Sequence, residues 1–323
     1  DMLHSPVVLT KPSFGDDVLS ATLTTLRLAA VGASTTEASG RWALALPSVP
    51  VLRLHVVLAG QCWLAVDGDR AKYHLRAGDC FLIPHARALV LASDLSIKHP
   101  TTLERAVRST RDGVVRIACN AGASPEVLVA GSAFQLEGHF QAIVFGRLPP
   151  VIHIPAHAES AAVLRWGIDR LAAEVSNAQP GRALMLRHLA PLLLVQTFRS
   201  YLATAGDARN WFSALRDPRL ARALAAMQTD LAHAWSLDKL AKTAGLSRAG
   251  FALNFKKAIG TTPLEYLTQW RVQVARELFV DGDRRIAEVA TAVGYESESA
   301  FSAAFTRVVG ERPGHYRSRI AAS

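Results

Sequence analysis

Two segments near the carboxyl end carry short polar and basic side chains at helical spacing. Residues 247–257 and 297–307 each begin with Ser and continue with Ala, Ser, Asn, Lys or Arg between regularly spaced phenylalanines. Arg and Lys side chains bind phosphate oxygens, whereas Ser, Asn, Glu and Ala contact base edges. If each segment is a helix with one free face, the expected chemistry is noncovalent recognition of a duplex. The candidate DNA-binding residues are Ser247, Arg248, Ala249, Ala252, Asn254, Lys256, Lys257, Ser297, Glu298, Ser299, Ser302 and Arg307.

The supports for these segments form an internal repeat with a period of roughly fifty residues. The copies at 237–247 and 286–297 both place apolar residues at i, i+3 and i+7, Ala at i+4 and Gly at i+8. The apolar positions bury one helix face, Ala lets a second helix approach, and Gly ends the first helix in a left-handed conformation. Ser247 and Ser297 then become the N-caps of the second helices. The pattern predicts two helix-turn-helix units.

The repeat continues into aromatic anchors and a joining helix. Phe251 and Phe255 correspond to Phe301 and Phe305, and a spacing of four places each pair on one helix face. A helix opened by Pro263 is predicted over 264–280. At 1.5 Å per residue this helix is about 25 Å long, comparable to the ~34 Å between successive major grooves on one side of a duplex. One chain is therefore predicted to read two adjacent grooves.

The first 150 residues read as short strands broken by Gly and Pro, which indicates a sandwich or small barrel. Residues 51–58 and 61–66 are rich in β-branched and apolar residues, with Ala-Gly and Asp-Gly dipeptides after them, and are predicted to form a hairpin. A further strand is predicted over 142–145.

The pattern becomes helical after residue 157. Residues 158–176 and 181–205 show helical apolar spacing and predict a pair of helices. Two uses of their apolar faces remain open, which are packing against the strands and forming a dimer interface. A linker is predicted over 206–210, and Asp217-Pro218 is predicted to begin the next helix with Asp as its N-cap.

The carboxyl-terminal repeat resembles the DNA-binding region of the AraC/XylS family of transcription regulators. The resemblance is carried by Gly-Tyr-Glu-Ser-Glu-Ser-Ala-Phe-Ser at 294–302 and Gly-Glu-Arg-Pro-Gly-His-Tyr-Arg at 310–317, and it covers about residues 216–319. In the front half, Gly-Asp-Cys-Phe-Leu-Ile-Pro-His at 78–85 looks like the second motif of a cupin barrel.

The resemblance implies an α+β protein in three parts. These are an N-terminal cupin-like β-barrel that senses a ligand (1–155), a helical hairpin for dimerisation with the linker (156–210), and a C-terminal all-α domain with two helix-turn-helix units (211–323). It implies a sequence-specific DNA-binding regulator controlled by a small-molecule effector or by dimerisation. The implied partners are double-stranded DNA, an effector, RNA polymerase and a second copy of the chain.

Two positions of the recognition helices, Leu253 and Ala303, depart from the family, which usually carries Arg there. Arg forms bidentate contacts with guanine, so without it DNA binding has more than one interpretation. In the first, bases are read by Ala, Ser and Glu contacts, thymine methyl packing and DNA shape, with Arg248 and the lysines on phosphates. Otherwise the intrinsic DNA affinity is weak and depends on dimerisation or a partner, or it has been lost. Glu298 either accepts from cytosine N4 or lies in solvent at a helix N-terminus.

A small barrel can enclose one small molecule, and four side chains are candidates for lining such a pocket. Arg53 and His55 share one strand face because side chains alternate. An inward Arg53 favours an anionic ligand, and an outward pair would be a polar surface; both remain open. The candidate ligand-binding residues are Arg53, His55, Trp63 and His85.

Cupin enzymes hold a metal with His-x-His, a Glu and a later His. In this chain His55 stands alone, and Leu89 occupies the late position. No catalytic residue, metal site or cofactor is therefore predicted. The alternatives are a cupin-type metalloenzyme, or a ligand-binding module, with a helical appendage. The first stays open because five side chains could cluster across strands: His55, His74, His85, Cys62 and Cys80.

Composition sets outer limits on the function. Lys and Arg number 36 against 27 acidic residues, and the net charge of +9 favours a polyanionic partner only modestly. Three cysteines give no disulfide framework and fit a reducing cytosol. The first residues lack a signal-peptide pattern, and no apolar stretch is long enough to span a bilayer. We therefore expect a cytoplasmic protein without a membrane partner.

Overall fold

A computed structural model describes residues 15–111, 114–120, 125–136, 138, 140–158, 162–176, 179–204, 209–280 and 284–321. Contacts among these residues divide the chain into two compact units. The sheet unit draws on Arg27–Glu137 and Phe145–Ala208, and the helical unit draws on Asp1–Leu26, Gly138–Val144 and Arg209–Ser323. The domain bounds at 155 and 210 remain a prediction, because the helical unit also takes two segments from the front of the chain.

The described residues form the following elements. The strands are β1 (Ala29–Ala38), β2 (Ala43–Leu46), β3 (Leu52–Ala59), β4 (Gln61–Val66), β5 (Lys72–Arg76), β6 (Cys80–Ile83), β7 (Leu89–Ala92), β8 (Thr101–Thr102), β9 (Val107–Arg111), β10 (Val114–Cys119), β11 (Val127–Gln135) and β12 (Ile152–Ile154). The helices are α1 (Val18–Thr25), α2 (Leu103–Ala106), α3 (Gln141–Phe145), α4 (Ala162–Ser176), α5 (Arg182–Thr204), α6 (Trp211–Arg216), α7 (Pro218–Thr229), α8 (Leu237–Ala244), α9 (Arg248–Ile259), α10 (Pro263–Val280), α11 (Ile286–Ala292), α12 (Glu298–Val309) and α13 (Pro313–Ala321).

The sheet unit is a sandwich of two sheets, and this confirms the predicted β-rich front half. The larger sheet has the strand order β12-β6-β3-β11-β1-β10-β9, and the smaller has β5-β4-β7-β2-β8. The core lies between them: Val57, Phe81 and Val129 come from the larger sheet, and Leu64 and Leu91 come from the smaller. Each of these side chains is at most 1% exposed, so the apolar alternation of the strands is used on this inner face.

Two strand predictions in this unit are wrong. β3 does not form a hairpin with β4, because β3 pairs with β6 and β11 whereas β4 pairs with β5 and β7. Gly60, with φ of 74°, carries the chain from one sheet to the other so close to the carbonyl oxygen of Glu126 that a Cβ would overlap it. Residues 142–145 lie in α3 rather than in a strand, because four apolar residues carry too little periodicity to separate the two.

The predicted helical pair is present as α4 and α5. The two helices approach closely at Gly167, where a Cβ would lie 2.7 Å from Cδ2 of Leu193. α5 also packs on the larger sheet, with Oγ1 of Thr197 3.4 Å from Sγ of Cys80. Packing against the strands, one of the two uses left open above, is therefore observed. Residues 159–161 and 205–208, which include part of the predicted first helix and most of the predicted linker, lie outside the described residues.

The helical unit contains α6 to α13 and the two segments from the front of the chain. Asp217 is the N-cap of α7, as predicted, and its side chain accepts from the backbone N–H of Arg219. The amino-terminal helix α1 is held by two side chains: Nε2 of Gln228 donates to Oγ1 of Thr22 (2.9 Å), and Nε2 of Gln273 donates to the carbonyl oxygen of Thr25 (3.2 Å).

Segment 138–144 is the second contribution of the front of the chain to this unit. Its Phe140 is 1% exposed, and the ring centroid lies 5.1 Å from that of Tyr266 and 5.0 Å from that of Trp270. Both partners belong to α10, so this helix is supported by residues far away in the sequence. Within the part of the chain that the structure describes, no helix combines the length and apolar character needed to cross a bilayer.

Candidate nucleic-acid interface

The first helix-turn-helix unit consists of α8, a tight turn and α9. Gly245 ends α8 at φ of 68°, and its backbone N–H donates to the carbonyl oxygen of Lys242 (3.0 Å). The side-chain oxygen of Ser247 accepts from the N–H of Gly250 (3.2 Å) and begins α9. The predicted left-handed Gly and Ser cap are confirmed for this copy.

The second unit, α11 and α12, repeats this geometry. Gly294 has φ of 83°, and its N–H donates to the carbonyl oxygen of Thr291 (3.0 Å). The side-chain oxygen of Ser297 accepts from the N–H of Ala300 (3.2 Å) and begins α12. Both copies of the repeat therefore present the N-terminus of a capped helix after a tight turn.

α10 supports the second helix of each unit through aromatic contacts. The ring of Phe255 lies 5.5 Å from Tyr266 near the start of α10, and the ring of Phe305 lies 5.9 Å from Phe279 near its end. Tyr266 and Phe279 are thirteen positions apart in the sequence, or about 20 Å along a helix axis. Four phenylalanines predicted as anchors are fully buried: Phe251, Phe255, Phe301 and Phe305.

The side chains on the open faces of α9 and α12 are accessible to solvent. Every one of the twelve predicted DNA-binding residues is exposed or half-buried. Ala252, Asn254 and Ser302 are the half-buried ones, and the others are exposed. We call these twelve residues together with Leu253, Ala303 and Thr306 the recognition surface.

Two arginines of the recognition surface face carboxylates at long range. Nη1 of Arg248 lies 3.5 Å from Oδ2 of Asp238, and Nη2 of Arg307 lies 3.8 Å from Oε2 of Glu265. The Arg248 and Asp238 side chains are 66% and 65% exposed, and exposed pairs of this kind contribute about 0–1 kcal/mol. Each arginine can therefore exchange its carboxylate for a phosphate at small cost.

The two departures from the family pattern both lie in the open. Leu253 is 70% exposed on α9, and Ala303 is exposed on α12. An exposed leucine between Ala249 and Lys256 makes the first helix locally apolar on the face that its Phe pair leaves free. The recognition surface thus combines methyl groups, hydroxyls and cations, and lacks an arginine at the centre of either helix.

Sequence analysis missed a residue that positions the second unit. Arg271 of α10 donates from Nη2 to the carbonyl oxygens of Leu231 (2.9 Å) and His233 (2.8 Å), and lies over the ring of Tyr295. Gly294 packs against the same turn, because a Cβ there would lie 2.8 Å from the carbonyl oxygen of Leu231. The available signal was an Arg at helical spacing from Leu267, Val274 and Ala275 of the joining helix.

Replacing Gly294 with alanine is expected to lower the free energy of unfolding of the helical unit by about 2–3 kcal/mol, because the left-handed conformation and the close turn both resist a Cβ. The matched control is Gly245→Ala, where φ is 68° but the nearest atom, Nη2 of Arg222, is 3.6 Å from the added carbon. That control should lose about 1 kcal/mol. Urea denaturation followed by circular dichroism measures both, and equal losses would contradict the steric argument.

Of the four candidate ligand residues of the sheet unit, the structure brings Arg53 and His55 together and places Trp63 and His85 elsewhere. Arg53 and His55 lie opposite Ile83 and Phe81 in the antiparallel pair of β3 and β6, so both point into the core between the sheets. Nη1 of Arg53 donates to the carbonyl oxygen of Pro47 (3.0 Å), and Nη2 donates to that of Arg87. Burial lowers the pKa of Arg53 to about 10. Of the two orientations left open, the inward one is observed, but two donors of the guanidinium are already engaged by the main chain.

Trp63 and His85 lie elsewhere. Trp63 is half-buried and packs on His74 with ring centroids 4.7 Å apart, on the face of β4 opposite the buried Leu64. Nε2 of His85 lies 3.0 Å from the carbonyl oxygen of Leu148. Trp63 and His85 therefore do not join Arg53 and His55 in one pocket, because Trp63 lies on the outer face of β4 and His85 lies in the loop between β6 and β7.

The five potential metal ligands are likewise dispersed. Cys80 contacts a threonine of α5, and Cys62, Cys80 and Cys119 are free and buried. Burial raises the pKa of the Cys62 and Cys80 thiols to about 12, which disfavours thiolates. Across the described ranges, no group of three or more His, Cys, Asp or Glu side chains is arranged to hold a metal ion.

The core position of His55 predicts acid sensitivity. Its ring stacks on Phe81 at 4.9 Å, and burial together with the nearby Arg53 charge lowers the pKa of His55 to about 3. Between pH 6.5 and 3 the unfolded chain takes up a proton that the folded chain excludes, so stability is complete above pH 6.5 and falls on acidification. The expected loss from this group is up to about 1.4 kcal/mol per pH unit. Urea titrations at pH 7 and pH 5 should show a shallower loss for His55→Phe, and an unchanged slope would rule out this origin.

Comparisons with protein families and with known relatives cover both halves of the chain. The cupin family matches residues 17–203, and the helix-turn-helix domain family matches residues 240–319. An AraC-like transcription regulator of Streptomyces antibioticus is 36% identical over 302 residues, covering 93% of this chain and 98% of that protein. The HTH-type transcriptional regulator AlkR of Acinetobacter baylyi is 31% identical over 288 residues, covering 88% and 93%. The crystal structure of an AraC-type regulator from Chromobacterium violaceum is 28% identical with a TM-score of 0.32, covering 33% of this chain and 96% of that one.

Proposed function

The chain belongs to the family of AraC-like DNA-binding transcription regulators, and we propose that its recognition surface reads two neighbouring major grooves of one duplex. The observation that carries this proposal is the shared support of the two recognition helices. α9 and α12 are each capped by serine and each packed by buried phenylalanines onto opposite ends of α10. α10 therefore holds the two exposed helices on one support, as the reading of two adjacent grooves by one chain requires.

Positive charge at the edges of α9 supports phosphate binding. Arg248 stands in the first turn of α9, and Lys256 and Lys257 stand in its last turn. We propose that these three side chains contact phosphates on either side of the groove, where they set register without reading sequence. Arg307 takes the same role at the end of α12, since its carboxylate partner is 3.8 Å away.

Base reading is assigned to the small and apolar side chains between these cations. Leu253 and Ala249 offer methyl groups to thymine, and Ser302 and Glu298 offer hydrogen-bonding atoms to base edges. A leucine that is 70% exposed on the open face of a recognition helix gains burial only when a partner covers it. We therefore favour direct reading of A·T pairs by the first helix over guanine reading.

A second copy of the chain is the proposed dimer partner. α4 and α5 bury one face in the sheet unit, yet Trp166 is 60% exposed and Leu184 is 51% exposed. A dimer that covers these side chains would bring two recognition surfaces to a pair of half-sites. We further propose that the protein is cytoplasmic and has no catalytic activity. A small-molecule effector is proposed to control it, and RNA polymerase at promoters is its proposed protein partner.

Selection of bound sequences from a random duplex pool, followed by fluorescence titration of the best duplex with the full chain, tests the DNA-binding role. Arg248→Ala is expected to weaken binding about fivefold on every sequence and to reduce the slope of log affinity against log salt by about one. The matched control is Arg116→Ala in the sheet unit, whose guanidinium pairs with Glu37, and this variant should bind as the wild type does.

Ser302→Ala separates base reading from phosphate binding. It should leave the salt slope unchanged and alter the preference at one base pair of the selected site. Salt-insensitive binding by the wild type, or selection that returns no common sequence, would overturn the proposed function.

A further inference from the structure

The sheet unit contains a second place where cations converge, away from Arg53. A cavity of about 550 Å³ opens between β2, the segment 96–101 and the ends of β9 and β10. Its rim carries Arg41, Lys98, His99 and Arg108, and its floor includes the half-buried apolar side chains of Ile97 and Ala118. We call this cavity the basic cleft.

The charges of the basic cleft are largely uncompensated. Among the described residues, no carboxylate lies within ion-pair distance of Lys98, His99 or Arg108. Arg41 is the exception, because the carboxylate of Asp94 faces it while accepting from the N–H and hydroxyl of Ser96 at 2.8 Å each. The residues that line the cleft include no acidic side chain.

Main-chain contacts hold the rim in place. Nη1 of Arg108 donates to the carbonyl oxygen of Arg105 (2.9 Å), and Nη2 donates to that of Ala118 (3.3 Å). Asn120, in the left-handed region at φ of 51°, donates from Nδ2 to the carbonyl oxygen of Arg41 (2.8 Å). Neutral acceptors orient the Arg108 guanidinium without cancelling its charge, and the Asn120 bond fixes the main chain at Arg41.

We propose that the basic cleft binds a small organic anion with an apolar body, its charged group at the Arg and Lys rim and its body over the floor. The volume is in the range of sites that enclose small molecules, and the combination of an apolar floor with a few charged groups is typical of them. This inference deepens the proposed function, on which its regulatory meaning rests, by giving the chemical class of the effector. The anionic ligand that was considered for Arg53 is thus proposed to bind at the basic cleft instead.

Calorimetric titration of the full chain without DNA tests the site, with 2-naphthoate as the probe and 2-naphthylmethanol as its neutral counterpart. The acid is expected to bind at least tenfold more tightly than the alcohol and to weaken several-fold as salt is raised. Lys98→Gln and Arg108→Gln should each weaken binding of the acid about fivefold, and the double variant about twentyfold or more. Lys72→Gln is the matched control, because Lys72 lines a different cavity, next to Asp69 and Leu89, and should leave binding unchanged.

The proposed anion site would be ruled out by either of two results. These are equal affinity for the acid and the alcohol, and unchanged affinity of the double variant for the acid. The double variant should still bind its selected duplex with wild-type affinity, since the recognition surface is untouched. If the wild type binds DNA but does not bind the anion, the proposal for the basic cleft is wrong and the proposed function stands. If the wild type binds the anion but no DNA, the proposed function is wrong and the anion site stands.

Discussion

Phe305→Ala is expected to lower the free energy of unfolding of the helical unit by about 3–5 kcal/mol, the usual cost of emptying a buried phenylalanine site. The side chain is fully buried, and its ring lies 5.6 Å from Phe301, 5.5 Å from Tyr316 and 5.9 Å from Phe279. Tyr316 belongs to α13 and Phe279 to α10, so one truncation weakens the contacts of α12 with both helices. Urea denaturation and affinity for the selected duplex should both decline.

The control for Phe305→Ala is Leu253→Ala on the first recognition helix. Leu253 is 70% exposed, so its removal should change stability by less than about 0.5 kcal/mol while lowering DNA affinity. The two variants therefore distinguish a residue that holds a recognition helix in place from a residue that contacts DNA. A Phe305→Ala protein as stable as the wild type would mean that α12 is not anchored by this cluster.

Phe140→Ala is expected to cost the helical unit about 3–4 kcal/mol, although residue 140 precedes the helix-turn-helix units by about a hundred positions in the sequence. The ring fills a space between Tyr266 and Trp270 at centroid distances of 5.1 and 5.0 Å. Tyr266 also contacts Phe255, the anchor of the first recognition helix. Emptying the site should therefore loosen α9 and reduce DNA affinity together with stability.

Hydrogen exchange at the amides of α10 measures this effect within the helical unit and leaves out the unfolding of the sheet unit. Protection should fall in Phe140→Ala and stay at the wild-type level in Gln141→Ala, whose side chain is exposed in the same segment. Wild-type protection of α10 in Phe140→Ala would show that the aromatic contact adds nothing to the unit.

The helix-turn-helix repeat could be predicted because its determinants are local. Each copy of the repeat contains a left-handed Gly, a Ser cap and a pair of buried phenylalanines within about a dozen residues. Each of these features is visible in the sequence as a residue type at a fixed interval. The start of α10 followed from the proline that opens it. The residues of the recognition surface could therefore be predicted, because the helical period shows which side chains of α9 and α12 lie opposite the buried phenylalanines.

The contacts that sequence analysis missed join residues far apart in the chain. Nothing near Gly60 indicates that β3 and β4 belong to different sheets, because the reason is the approach of Glu126. Arg53 was correctly expected to share a face with His55, but its carbonyl partners at Pro47 and Arg87 depend on how loops fold over the strand. The basic cleft is likewise assembled from four separate segments, and none of them is unusually basic.

The assembly of the helical unit from three stretches of chain has a consequence for biosynthesis. α1 leaves the ribosome some two hundred residues before α7 and α10, the helices against which it packs. The sheet unit can complete its pairing while translation continues, whereas α1 and Phe140 must wait until α7 and α10 have been synthesised. Contacts of such high sequence separation form slowly. Competence to bind DNA should therefore be gained only after α7 and α10 have left the ribosome, and truncated products that lack these helices should not acquire it.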